Sequence, residues 1–372
     1  MKKVLLLTCV LCLAASLAGA ADTIKIGVMA PLTGAWASEG QEMKQIVDLL
    51  GEELNAKGGL LGQQVEIISE DDGGDPKTAA LAAQRLSTQE VIASIGTYGS
   101  AITEASQNIY DEAGILQVAT GSTAVRLSEK GLQYFFRTSP RDDDQGKVIA
   151  RTIMEKGVKK VAVLHDNSTY SKGLADEAKA ILEEQGIEIV FYDALTPGEN
   201  DYTAILTKLK AAAPEIVLAT TYYPETGLLL RQKKEMGWDV QLVGGDANSN
   251  PDLIKIAGAD AAAGYLMICP PVPKDLPSEE AQNFLAAFEK KYGGTPGSIW
   301  AVLAGDAFLV IAEAIKATES TDPEELADYL HTSLKDFPGL TGLLSFNEKG
   351  DRVGDVYRVY TVDDQGNFKL LQ

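Results

Sequence analysis

The sequence is poor in the residues that most covalent chemistry needs. Two histidines, His165 and His331, serve all 372 residues, and there are three cysteines. Cys9 and Cys12 fall in the first twenty residues, so Cys269 has no partner for an internal disulfide. It lies in the apolar stretch GYLMICPP and reads as a buried, inert thiol. No G-x-S-x-G elbow, G-x-G-x-x-G fingerprint or G-x-x-x-x-G-K-[ST] loop occurs. Nothing pairs a nucleophile with a base, so an enzyme is not expected, nor is a cofactor. A metal is not expected either. DANSNP (246–251) begins like a calcium loop, but Pro251 stands where that loop needs glycine and Ala257 where it needs a bidentate glutamate. Positive charge is also scarce. Acids outnumber bases 53 to 33, a net charge of −20, which excludes nucleic acid and anionic membrane as partners. A zwitterion is indifferent to that field.

Long apolar runs are confined to the start. In MKKVLLLTCVLCLAASLAGA, Lys2 and Lys3 precede an apolar stretch, Val4 to Leu17, and the small residues Ala18-Gly19-Ala20. This is the pattern of a cleavable signal peptide, residues 1–20, too short for a comfortable membrane span of about 20 apolar residues. Cys9 and Cys12 follow Thr8 and Leu11, where a lipid-anchoring signal would have a small residue. Release into the periplasm is therefore expected, without a lipid anchor.

Beyond residue 20, apolar strands alternate with amphipathic helices, the pattern of an α/β protein. IKIGVMA, QVEIISED, VIASIG and ILQVATG are strands separated by helices at 40–57, 76–89 and 102–114. The pattern restarts at residue 159 with KKVAVLHD, IEIVFYDAL, EIVLATT and QLVGGD. Gly40 and Gly173, each closing a loop ahead of a helix, occupy matching places in the two halves, as do Asp71 and Asp193. The acid run RDDDQG (141–146) reads as a helix start with Asp144 as N-cap. Later helices include WAVLAGDAFLVIAEAIKAT, too apolar to be anything but packed, and DPEELADYLHTSL, capped by Asp322. The expectation is two Rossmann-like lobes joined by a multi-strand hinge with a ligand cleft between them. The N-terminal lobe takes residues 21–141 plus 271–350, and the C-terminal lobe 142–270 plus 351–372.

In open parallel sheets, ligands bind beyond the carboxyl ends of the strands. From the first half, PLTGAWASEG (31–40), TYGSAIT (97–103) and ATGSTA (119–124) meet there. They offer Ser100, Thr120, Ser122, Thr123 and bare glycine backbone, all suited to an anion. HDNSTYSKG (165–173), TTYYPETG (220–227) and GGDANSN (244–250) come from the second half. They offer Tyr170, Tyr222, Tyr223 and one acid, Asp246, suited to a cation and to flat apolar contacts. Taken singly, Ser100 is an ordinary helix cap, Asp246 a turn acid and the tyrosines packing residues. Together they describe a receptor for a small zwitterionic amino acid. Its carboxylate would lie at Ser100 and Thr123, its ammonium at Asp246 and the Gly121 carbonyl.

ADTIKIGVMAPLTG, NAKGG, DDGGDPKTA, VATGSTA, RTSPRDDDQG, VAVLHDNSTYSKG and FNEKGD, in this order and spacing, resemble the leucine/isoleucine/valine-binding protein family. Members are type I periplasmic binding proteins that deliver amino acids to ABC importers. The resemblance spans essentially the whole chain after residue 20. It implies a monomeric solute-binding protein for a branched-chain or related amino acid, with the permease subunits of the inner membrane as partner. It puts the carboxylate on Ser100 and Thr123, the carbonyl on Gly121, the side-chain contacts on Tyr170 and Tyr222, and the ammonium on Asp246. Ser122 lies in the same loop. Two departures stand out. Asp246 replaces the glutamate common in the family, and Glu39 stands where an aromatic residue often lines the side-chain pocket. Either Glu39 turns to solvent and Trp36 supplies the apolar wall, or it faces the cleft and favours a ligand with a polar or basic end. The second arrangement would suit a ligand-sensing receptor for a polar amino acid, an ω-amino acid or an amide. Gly74 and Gly99 occupy places where some relatives carry a cysteine pair.

Overall fold

The computed structural model describes residues 23–371, so the expected signal peptide lies outside the described residues. The first sheet is built from β1 (Ile24–Ala30), β2 (Val65–Asp71), β3 (Ala93–Ile95), β4 (Leu116–Ala119) and β5 (Phe135–Arg137). All five strands are parallel, in the order β2-β1-β3-β4-β5. Between them run α1 (Ala37–Ala56), α2 (Pro76–Ser87) and α3 (Ser100–Glu112). The crossovers cover both faces, which is why β1 and β3–β5 read as continuous apolar runs and not as alternating ones.

The second sheet repeats this plan. After α4 (Asp142–Glu155) come β6 (Lys160–His165), α5 (Thr169–Glu184), β7 (Glu188–Ala194) and α6 (Thr203–Ala211). Then follow β8 (Ile216–Ala219), α7 (Tyr223–Glu235), β9 (Gln241–Gly244), two short helices α8 (Asp252–Ala257) and α9 (Ala259–Ala262), and β10 (Leu266–Cys269). The parallel order β7-β6-β8-β9-β10 is that of the first sheet, so the internal echo read along the chain is a repeated topology. Cys269 is fully buried at the end of β10.

The chain then returns to the first lobe as α10 (Glu279–Tyr292), α11 (Ile299–Thr318) and α12 (Pro323–Thr332), followed by a hairpin of β11 (Phe337–Gly339) and β12 (Gly342–Leu344). α11 is buried along almost its whole length and packs against α1. The carboxyl of Asp306, inside this apolar helix, accepts hydrogen bonds from the backbone of Leu340 (2.6 Å) and Thr341 (3.2 Å), which ties the hairpin down. Finally β13 (Arg358–Val362) and β14 (Phe368–Leu370) add antiparallel to the edge of the second sheet. The chain thus passes three times between the sheets.

One local expectation holds: Asp322 caps α12 ahead of Pro323, and Asp75, not singled out in the sequence, caps α2 ahead of Pro76 in the same way. Others are corrected. Asp144 is not a cap: α4 begins at Asp142, its N-cap is Arg141, and the Asp144 carboxylate pairs with Lys147 on the surface. Nor do the two echoing glycines close loops, because α1 starts at Ala37 and α5 at Thr169, placing Gly40 and Gly173 inside the helices, as their fourth and fifth residues. Their reasons differ. A Cβ on Gly40 would run into the backbone carbonyl of Pro31, whereas one on Gly173 meets only Asp142 Oδ2 at 3.9 Å. Gly40→Ala is therefore expected to destabilise by about 1–3 kcal/mol through overpacking. Gly173→Ala should be neutral or stabilise by up to about 1 kcal/mol through helix propensity. Thermal unfolding of the two variants measures the contrast.

Candidate functional site

The carboxyl ends of the two sheets face each other, and the lobes touch across the gap. Tyr98 Oη donates to the carbonyl of Ala247 at 3.4 Å, and Tyr223 Oη to that of Ala35 at 2.8 Å. Arg126 reaches Thr169 Oγ1 at 2.8 Å, and Thr169 in turn donates to Glu104 at 3.1 Å.

On the first lobe, Ser100 opens α3 but does not cap it. The N-cap is Gly99, and the Ser100 hydroxyl accepts from the backbone N–H of Ala124 at 3.2 Å. The first-turn N–H groups of a helix have no intrahelical acceptor, so this helix start presents bare donors beside the 121–124 loop. Gly121 is required there, since a Cβ would stand 2.7 Å from the carbonyl oxygen of Tyr98. Thr123 is fully buried and its Oγ1 has no hydrogen-bond partner among the described residues. Ser122 is set apart from these. Its hydroxyl is engaged by Thr103 at 2.6 Å, behind the loop, and its carbonyl by Ser139 and Arg137. Thr120 Oγ1 likewise turns inward, toward the carbonyl of Thr97.

On the second lobe, Asp246 begins a single 3-10 turn, Asp246–Asn248, just beyond β9. It is 1% exposed. Oδ2 accepts from Tyr357 at 3.2 Å, while Oδ1 has no partner. Burial pushes its carboxyl up to about 7. A second carboxylate, in the acid run read from the sequence as a helix start, stands beside it. Asp142, the first residue of α4, is completely buried with neither carboxylate oxygen hydrogen-bonded. Its backbone N–H donates to the Thr123 carbonyl at 3.0 Å, linking it to the first lobe's loop. Burial and then the neighbouring charge of Asp246 push its pKa well above the carboxylate range. A cavity of about 520 Å³ opens beside Asp142 between the lobes, lined also by Ala124, Arg126, Thr169 and Lys172.

The aromatic residues form a separate cluster across the lobe interface, outside the lining of that cavity. Tyr170 and Tyr222 lie 5.2 Å apart between ring centres, and Trp36 reaches across from the first lobe to stack on Tyr222 at 4.4 Å. Tyr98, which was not among the sequence candidates, lies 5.4 Å from Trp36 and 5.8 Å from Tyr222. The Trp36 indole lies over Gly74 and Gly99, where Cβ atoms would come within 2.8 and 3.0 Å of it. The two glycines thus make room for a tryptophan in the place where some relatives have a cysteine pair.

Glu39 does not turn to solvent. It is fully buried, and its Oε1 accepts from the side-chain amide of Asn250 on the second lobe at 2.7 Å. Burial raises it to about 8, against the opposing hydrogen bonds from Asn250 and Ser298. At neutral pH the group is a carboxylic acid, so its burial carries no unpaired charge.

His165 ends β6 buried against Tyr192, and His331 packs on Phe136. Among the described residues no cluster of side chains has the makeup of a metal site.

Comparison with known proteins agrees with this geometry. Residues 23–367 match the periplasmic binding protein family. The chain is 35% identical over 347 residues to a leucine-, isoleucine-, valine-, threonine- and alanine-binding protein of Pseudomonas aeruginosa, covering 93% of this chain and 91% of that one. It is 33% identical over 352 residues to a Leu/Ile/Val-binding protein homolog of Brucella abortus, covering 94% and 93%. Among solved structures it resembles the branched-chain amino acid transporter substrate-binding protein LivJ of Streptococcus pneumoniae, in complex with isoleucine. The TM-score there is 0.86 at 31% identity, covering 94% of this chain and 99% of that one. The leucine-binding protein LivK of Thermotoga maritima gives 0.87 at 28% identity, covering 94% and 98%. Two repeated parallel sheets, a cleft at their carboxyl ends and this likeness along nearly the whole chain lead to one assignment: the protein belongs to the periplasmic binding protein family.

Proposed function

We propose that this protein is the solute-binding component of an ABC importer, closing over one small amino acid and presenting it to a membrane permease from the periplasm. The observation that carries the reading is the polarity of the cleft. One lobe supplies hydroxyls and N–H groups at Ser100 and Thr123; the other supplies Asp142 and Asp246, whose free oxygens are buried without a hydrogen-bond partner among the described residues. A zwitterion satisfies both at once. Its carboxylate takes the donors at the start of α3, and its ammonium, with three N–H donors, takes Asp246, Asp142 and the Gly121 carbonyl. Trp36, Tyr98, Tyr170 and Tyr222 then pack the side chain. The named relatives bind leucine, isoleucine, valine, threonine or alanine, which makes a branched-chain or similarly small amino acid the ligand to try first.

Because the ligand contacts residues of both lobes, it binds the closed form more tightly than the open one, and only that difference can drive closure. The lobes proposed to move are 21–141 plus 271–350 and 142–270 plus 351–372, acting as a monomer. Glu39 belongs to closure and not to the ligand in this scheme, since its bond to Asn250 forms only when the lobes meet. The cleft turns over no substrate.

A thermal-shift screen over the amino acids tests the ligand class, because a ligand bound only by the folded state raises the melting temperature. A shift from a sugar or a nucleotide, with none from any amino acid, would sink it. With a ligand in hand, Asp246→Ala should weaken binding on the order of 100-fold or more, by stranding a buried ammonium. Tyr222→Phe should change it by less than about fivefold, because the ring contact remains. Titration calorimetry distinguishes the two, and equal losses would count against the assignment. The same titrations from pH 5.5 to 8 should show affinity rising with pH. Asp246 is held protonated up to about 7 in the free protein, so below that pH the ammonium must expel a proton. The expected slope is about tenfold per pH unit below 7, flattening above it.

A further inference from the structure

The FNEKGD turn was conspicuous in the sequence, yet nothing in the binding scheme uses it. Its last residue, Asp351, has a 1% exposed side chain and lies where the chain leaves the first lobe for β13. Oδ1 accepts from Arg137 Nε at 2.6 Å. Oδ2 accepts from Arg141 Nη1 at 2.7 Å and from Ser128 Oγ at 3.0 Å. The turn itself is fixed, because the N–H of Arg137 donates to the Gly350 carbonyl at 2.9 Å and Asn347 Oδ1 accepts from the N–H of Asp351 at 3.0 Å.

Each arginine leads somewhere different. Arg137 is completely buried, and its Nη1 donates to the carbonyls of Ser122 (3.2 Å) and Ala124 (2.9 Å). Within a planar trans peptide the C=O and the N–H point in opposite directions. Anchoring the Ser122 carbonyl on Arg137 therefore turns the Thr123 N–H away from the guanidinium. Arg141 is the N-cap residue of α4, immediately before Asp142, and it also grips Asp143 at 3.0 Å. One carboxylate thus stands behind the first lobe's anion-binding loop and the second lobe's buried acid.

We infer that Asp351 is a positioning residue of the binding site, fixing the 121–124 loop through Arg137 and the start of α4 through Arg141 at the point where the lobes join. Its charge is essential to this role. Arg137 has no other salt-bridge partner among the described residues, so a neutral group at 351 leaves a buried cation unpaired and free to release the loop carbonyls. Although burial raises the Asp351 pKa, the two guanidiniums outweigh it and hold the group below the ordinary carboxylate range. The clamp therefore stays charged through the pH range in which Asp246 titrates.

The inference rests on the proposed site but is read without ligand. In free Asp351→Asn, amide exchange at 122–125 and at 142–146 should quicken at least tenfold relative to β3, and leucine, used as the probe, should bind at least about tenfold more weakly. Arg141→Gln, at a partly exposed position, should quicken 142–146 and leave 122–125 as in the wild type. A merely structural role would lower the melting temperature of Asp351→Asn while leaving relative exchange at 122–125 unchanged, and that result overturns the inference. Wild-type exchange at 142–146 in Arg141→Gln overturns it equally. Should both segments quicken in a protein whose wild type binds no amino acid, the positioning role stands and the ligand reading falls.

Discussion

Two carboxyl groups with free oxygens, Asp142 and Asp246, are buried side by side in one jaw of the cleft. Water cannot solvate them there, and among the described residues neither carboxylate is engaged by a lysine or arginine hydrogen bond. A protein can hold such a pair only by protonating it or by supplying a cation from outside, and burial, which raises the pKa of each, favours the first solution in the free protein. In the proposed scheme ligand binding exchanges that proton for an ammonium, and selectivity, closure and pH response derive from the exchange, because the ammonium reaches the pair only when its carboxylate end sits on the opposite lobe.

The fold sets up the arrangement by repetition with altered chemistry. Both sheets have the same strand order, so both present their carboxyl-end loops to the shared cleft. In the first, the loop after β4 carries glycine and hydroxyls and is locked from behind by Arg137. In the second, the loop after β9 carries an acid and is backed by Tyr170 and Tyr357, whose hydroxyls contact the Ala247 N–H and Asp246. The aromatic residues bridge the halves: Trp36 comes from the first lobe and Tyr222 from the second, so their stacking exists only while the lobes are together. Glu39 and Asn250 add a neutral hydrogen bond at the same seam.

Much of this was legible in the sequence, because strand and helix periodicities are local and the echo made their pairing predictable. The positions of Ser100, Thr123, Tyr170, Tyr222 and Asp246 followed from counting strand ends. What escaped was set by distant contacts. In RDDDQG three consecutive acids look alike, but α4 starts at Asp142, which turns that residue inward while Asp144 stays on the surface. Glu39 looked unfit for burial because its partner, Asn250, is remote in sequence and its neutrality depends on the surroundings. Gly40 and Gly173 looked equivalent, yet only Gly40 abuts a backbone carbonyl, that of Pro31 just beyond β1. Arg137 and Asp351 are 214 positions apart, and no local pattern joins them.

The central claim is that the cleft reads both charges of one small molecule. Calorimetric titration of leucine against its deaminated acid, 4-methylpentanoate, and its carboxamide, leucinamide, isolates each end while keeping the side chain. The account predicts that either analogue binds on the order of 100-fold or more weakly than the parent, since each leaves one buried set of partners unmatched. Binding of the deaminated acid as tight as that of leucine would contradict it.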